Sequence, residues 1–196
     1  MNRFQHLETI PDGPFRFIAI DVETANRSSA SICQIGLCFV DATNALHTFS
    51  TLVNPEGPMD PFNTEIHGIT AEMVSGAPNF EAAYGALYAV LEGNHLAQHS
   101  RFDERAFEAA CKRYEMTMVT SHWTNSVSIA RQAWPEFKGA GGHGLAHLKK
   151  QLGLDFHHHD AGEDARASAT VILLAEERIG RLPHLKVERQ LKFQFD

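Results

Sequence analysis

The amino-acid sequence predicts an α/β protein, a mixed sheet with helices packed on it. Three strand-like runs follow one another at the head of the chain with short polar connections between them, and beyond them a further strand pattern is mixed with helical ones. A third observation sets the scale: 196 residues, 43% hydrophobic and 21% charged, suit a single domain of generous size with a real core.

The elements are predicted as follows. Residues 15–23 alternate as a strand, "ICQIGLCFVD" at 32–41 is a second, long and apolar, and 47–55 is a third, closed by Pro55. Their short connections predict an antiparallel meander. An irregular stretch containing "EIHGIT" comes next, and then Phe80, Ala83, Leu87 and Val90/Leu91 fall at helical spacing over 79–92. "HLAQH" at 95–99 reads as a short strand and 102–114 as a helix, followed by weaker helical patterns at 126–134 and 143–152 and a last helix at 161–179. There is no internal repeat and no low-complexity linker. The one compositional oddity is "HHHD" at 157–160.

Composition excludes several classes. No run approaches the roughly 20 apolar residues of a membrane span, and "MNRFQHLETIPDGP" lacks the apolar segment of a secretory signal, so a cytoplasmic protein is expected, with no membrane partner. Cys33, Cys38 and Cys111 lie in apolar surroundings without metal-ligand spacing, which predicts buried reduced thiols. A formal net charge of -7 argues against coating nucleic acid through a basic face. It leaves room for an acidic cluster whose local field is inverted by bound cations. Lys149, Lys150, Arg181, Lys186, Arg189 and Lys192 make the C-terminal part somewhat basic, which reads as solvated surface.

Carboxylates in apolar contexts are the chemical signal. Side chains alternate along a strand, so Asp21 and Glu23 share a face with Phe17 and Ala19, opposite Ile18, Ile20 and Val22. If a helix starts near Phe102, Asp103 lies on the stripe of Phe107, Ala110 and Tyr114. Asp160 and Glu163 resemble a capping pair at the start of the last helix, whereas Asp164 falls on the side of Ser168, Val171 and Ala175. His159 lies just before that helix. Taken singly, each is matched by a bland alternative: a strand end meeting solvent, a helix dipole, a cap. Together they need a common cause, because unit charges about 4 Å apart repel by about 4 kcal/mol at an effective dielectric near 20. Oxygen-rich clusters of this kind suit Mg²⁺ or Mn²⁺, and two such ions form the clamp used in phosphodiester hydrolysis.

These residues resemble the DnaQ-like 3′→5′ exonucleases of the DEDDh subgroup. "FIAIDVETAN" is similar to the first motif of that family, "HLAQHSRFDERAF" to the second, and "HDAGEDA" to the third, H-x-A-x-x-D-A, while "LVNPEGPMDPFNTEIHGIT" is similar to the segment between the first two. One departure stands out: Gln98-His99 replace the His-Asn common before the Phe-Asp of the second motif, which bears on substrate handling more than on chemistry. The resemblance implies an RNase H-like fold, a mixed five-stranded sheet flanked by α-helices with its second strand antiparallel. It implies an exonuclease domain at 15–180 between an N-terminal extension (1–14) and a C-terminal tail (181–196). It implies two Mg²⁺ or Mn²⁺ ions held by Asp21, Glu23, Asp103 and Asp164, with His159 as general base. Thr24 and Ala25 would hold the terminal nucleotide, with His67 and Phe102 near it. The expected substrate is the 3′ end of DNA or RNA, above all single-stranded, with any polymerase, helicase or repair partner a separate chain.

Two other readings compete. One is a non-catalytic nucleic-acid-binding or scaffold protein of the same fold, which the filled catalytic positions oppose. The other makes "HHHD" a transition-metal site, since imidazoles suit Zn, Ni or Cu. Against it stands the expectation that adjacent histidines splay to opposite sides.

Overall fold

The computed structural model describes residues 10–185. Its centre is β1 (Phe15–Thr24), with β2 (Ile32–Asp41) paired antiparallel on one side and β4 (Leu96–Gln98) parallel on the other. Beyond them lie β3 (Leu46–Leu52), antiparallel to β2, and β5 (Trp123–Asn125), parallel to β4, giving the order β3-β2-β1-β4-β5. Only β2 runs against the rest. Around the sheet are α1 (Pro61–His67), α2 (Ala71–Val74), α3 (Phe80–Leu91), α4 (Phe102–Arg113), α5 (Ser126–Ala133), α6 (Leu145–Leu152) and α7 (Ala161–Ile179).

The alternation of β1 sorts the core into two layers. Ile18, Ile20 and Val22 join Ile35, Leu37, Phe80, Tyr84 and Phe107 on the side of α3 and α4. Phe17 and Ala19 join Ala130, Leu148, Val171 and Ile172 on the side of α5, α6 and α7. Side chains following Phe17 and Ala19 on that face are therefore aimed toward α7. At the other end of the strand, Arg16 is buried and spans to α7, donating to both Glu176 oxygens at 2.7 and 2.8 Å and to the Leu185 carbonyl at 3.1 Å. Leu185 is fully buried, so packing continues past the end of α7. Lys186, Arg189 and Lys192, and most of the expected N-terminal extension and C-terminal tail, lie outside the described residues.

Three stretches differ from the sequence pattern. The stretch read as irregular holds α1 and α2: Asp60 caps α1 by accepting from the Phe62 amide, Pro61 opens it, and Gly68 ends it at a left-handed φ of 73°. Thr70 caps α2. Strand β5 has three residues, too few to display alternation, and is fixed by its register against β4. Strand β3 stops at Leu52, three residues before Pro55, leaving Asn54 only an isolated bridge to Asn79. Cys33, Cys38 and Cys111 are all buried and free, as their surroundings predicted. Among the described residues no helix is long and apolar enough to cross a membrane.

Candidate active site

At the C-terminal end of β1, past its pairing with β4, the carboxylates meet. Oxygens of Asp21, Glu23 and Asp164 all lie within 4.8 Å of one another. Asp103 arrives from α4, its Oδ1 accepting from the Val22 amide at 3.0 Å, and is buried, as is Asp164. Asp164 is placed by its own helix start: Asp160 accepts from the amides of Gly162 and Glu163, and the His159 amide donates to Asp164 Oδ2 at 2.9 Å. His159 itself has a left-handed φ of 68°, an unusual conformation for a non-glycine residue that costs on the order of 1 to 3 kcal/mol. Its half-exposed ring brings Nδ1 to 3.9 Å from Glu23 Oε1.

Two residues with no chemistry of their own set the distance between β1 and α7. Gly36 stands opposite Asp21 in the β1–β2 register, and a Cβ there would lie 2.0 Å from the carbonyl carbon and oxygen of Ala161 and 2.3 Å from the Gly162 nitrogen. Gln34, opposite Glu23, accepts from the Ala161 amide at 3.0 Å. Strand β2 thus lets the first turn of α7 rest on it. The sequence carried this signal in the single glycine of an otherwise bulky strand.

Charge is unbalanced here. Burial first, then the neighbouring Asp103, Asp164 and Glu23, hold Asp21 well above the carboxylate range. Burial, followed by Asp164 and Asp103, pushes Glu23 up to about 8. Burial also pushes Asp103 up to about 7, against the lowering effect of the Val22 amide. His159 moves the other way, lowered by burial and by His158, which favours the neutral, proton-accepting form of its ring. Several acids resisting ionisation in one dry spot fit a hard divalent cation bound by oxygen.

A cleft of about 460 Å³ lined by Thr24, Asn26, Arg27, Ser29, Phe62, Asn63 and Phe102 opens beside Glu23 and Asp103. Phe62 and Phe102 are exposed aromatics on its walls. Of the residues the sequence suggested for substrate, Thr24 and Phe102 line this cleft. Ala25 is fully buried, and His67 is buried behind Thr24, its Nδ1 accepting from the Ile69 amide and its Nε2 3.3 Å from the Thr24 carbonyl. Asn26, Arg27, Phe62 and Asn63 gave no sequence signal, because residues of a loop and a short helix carry no periodicity. Gln98 and His99 are structural ties: Gln98 Oε1 accepts from the Glu104 amide at the start of α4, and His99 bridges Ser126 Oγ at 2.8 Å and the His143 carbonyl at 2.9 Å.

Comparison with known proteins identifies the family. The RNase_T exonuclease model matches residues 18–172, most of the chain. The chain belongs to the exonuclease family. Within it, the sequence and fold are those of the DnaQ-like 3′→5′ exonucleases, which generally use divalent metals. DNA polymerase III PolC-type of Streptococcus agalactiae is 30% identical over 172 residues, covering 84% of this chain but 11% of that protein, so the exonuclease spans about a tenth of the length of the polymerases it matches. The same fold is seen in exonuclease X in complex with 5′-overhanging duplex DNA, at a TM-score of 0.67, 22% identity, 87% of this chain and 97% of that one. It recurs in the nuclease domain of 3′hExo, a DEDDh family member bound to rAMP, at a TM-score of 0.64, 17% identity, 85% of this chain and 94% of that one.

Proposed function

We propose that this exonuclease shortens DNA or RNA strands from the 3′ end, releasing nucleoside 5′-monophosphates, with single strands as its preferred substrate. The observation that supports this most directly is the convergence of Asp21, Glu23 and Asp164 within 4.8 Å, with His159 Nδ1 3.9 Å from Glu23. In this reading Asp21, Glu23 and Asp164, with Asp103 beside them, would hold Mg²⁺ or Mn²⁺. The metal supplies Lewis-acid activation and neutralises charge on the phosphoryl oxygens.

The chain's own residues do the rest. His159 takes the proton of the attacking water, whose oxygen bonds to phosphorus as the bond to the 3′ oxygen of the penultimate nucleotide breaks. The departing nucleotide keeps the phosphate, and the shortened strand regains a 3′ hydroxyl with a proton from solvent. Thr24 borders the cleft that takes the last nucleotide, and the exposed faces of Phe62 and Phe102 are platforms on which bases stack, a contact indifferent to sequence. The polymerase relatives suggest work in the company of a DNA polymerase.

The test is to offer 5′-end-labelled single-stranded DNA, single-stranded RNA and duplex with Mg²⁺ or Mn²⁺. A descending ladder that EDTA abolishes is expected. Immediate release of the labelled mononucleotide would reverse the polarity.

A further inference from the structure

The histidine run is not absorbed by the exonuclease chemistry. His159 has a role in it, but His158 has none, and the structure contradicts the expectation that adjacent histidines splay apart. The rings of His158 and His159 are stacked, with centroids 4.0 Å apart and planes 20° from parallel. The left-handed backbone at His159 makes this possible, by folding the second ring back over the first. Phe156, buried, supports the outer ring edge-on with centroids 6.0 Å apart. His158 Nδ1 then donates to Asp164 at 2.9 and 3.0 Å, reaching both carboxylate oxygens. A shared proton stands where a cation could stand.

Two donor sets therefore meet at one carboxylate. Asp21, Glu23 and Asp164 offer oxygen alone, whereas His158, His159 and Asp164 offer two imidazole nitrogens and one oxygen, again all within 4.8 Å of one another. The sets suit different ions: hard Mg²⁺ and Mn²⁺ take carboxylates, and imidazole favours zinc and its neighbours. We propose that His158, His159 and Asp164 form a separate site for a zinc-like divalent cation, which competes with the activating metal for Asp164 and shuts the exonuclease off.

The geometry is close to what such an ion needs. Donors around tetrahedral zinc sit about 3.4 Å apart, so the His158–Asp164 pair, at 2.9 Å, must open by about 0.5 Å, the other separations, none above 4.8 Å, must close by at most about 1.4 Å, and the two rings must tilt out of their stack. Both rings have room to do so, with side chains 32% and 43% exposed, while Asp164 is held still at 4%. His158 binds through Nδ1 in the tautomer that carries the ring proton on Nε2, which frees the nitrogen that faces Asp164. Water completes the coordination. An ion so placed occupies Asp164 and the nitrogen of His159 together, removing a metal ligand and the base in one event. The inhibition rests on the exonuclease reading; the site itself does not.

The experiment separates the two. Calorimetry with Zn²⁺ alone, and visible absorption with Co²⁺ as a spectroscopic substitute, is carried out on the parent, His158→Ala and Asp21→Asn, with His157→Ala as a neighbouring control. Zinc binding should weaken at least about tenfold in His158→Ala, as loss of metal-site support generally costs 10- to 100-fold, and should persist in Asp21→Asn and His157→Ala. The tetrahedral Co²⁺ spectrum should follow the same order. On labelled single-stranded DNA with Mg²⁺, the Zn²⁺ concentration that halves each protein's own rate should rise by the same factor in His158→Ala. Equal zinc affinity in His158→Ala and the parent would overturn the site, as would zinc binding lost in Asp21→Asn but kept in His158→Ala, which would put the ion on the carboxylates. Should the parent prove inactive with Mg²⁺, the exonuclease reading falls, and the calorimetry still decides the zinc site.

Discussion

Replacing Glu23 by Gln should stabilise the metal-free protein, by an amount that grows with pH. In the folded protein burial and the neighbouring carboxylates push Glu23 from 4.5 up to about 8. Between those values the folded form holds a proton that the unfolded chain has released, so each unit of rising pH favours unfolding by about 1.4 kcal/mol. Near pH 5 the parent carries a protonated Glu23, close in shape and charge to Gln, and the two proteins should melt together. By pH 9 the full interval has been crossed, which corresponds to at most about 5 kcal/mol. Asp21, whose ionisation burial and the same neighbours oppose, shares part of the repulsion, so a gap of about 2 to 5 kcal/mol is expected, or a melting temperature higher by roughly 5 to 15 °C. The assay is a set of thermal melts in EDTA at pH 5, 7 and 9, repeated with Mn²⁺. The metal should raise the parent by more than the variant, because it binds the folded form through Glu23. A gap that stays flat with pH, or a variant that melts below the parent at pH 9, would refute the account of an uncompensated acidic cluster.

Other outcomes follow from the same geometry. His159→Ala should lose about 10² to 10⁴ in single-turnover rate, the usual cost of a general base, while calorimetric Mn²⁺ binding persists; equal damage from His157→Ala would misplace the base. Gly36→Ala puts a methyl 2.0 Å from the Ala161 backbone, which should displace α7, lower the melting temperature by about 5 °C or more and abolish turnover by moving Asp164 away from Asp21. A normal melt and normal rate for this variant would mean that the contact between β2 and α7 does not position the site.

Most of the fold was legible because its long elements carry strong periodicity. Strand β2 and helix α7 have the bounds the pattern predicted, since a mostly apolar run of ten residues in one case and nineteen residues with a buried stripe in the other leave little ambiguity. The acids of the site were readable for a related reason: Asp21, Asp103 and Asp164 each interrupt a stripe that is otherwise buried, and the structure buries Asp103 and Asp164 along with it. What escaped was set by tertiary contact. Strand β5 exists through its pairing with β4, and α1 is short enough that only Asp60-Pro61 and Gly68 mark it. The stacked pair His158 and His159 depends on one left-handed residue, and no pattern in the sequence announces a positive φ at a histidine.

The central claim is that the inward-facing carboxylates are the machinery of 3′ end hydrolysis, and Asp21, at their centre, tests it most directly. Asp21→Asn and the parent should be compared at single turnover on 5′-end-labelled single-stranded DNA with Mn²⁺, alongside metal-free melts at pH 8. The variant should melt at or above the parent, having lost a charge that burial and its neighbours oppose, yet its descending ladder should fall to the level seen in EDTA. A ladder that descends at the parental rate would contradict the account.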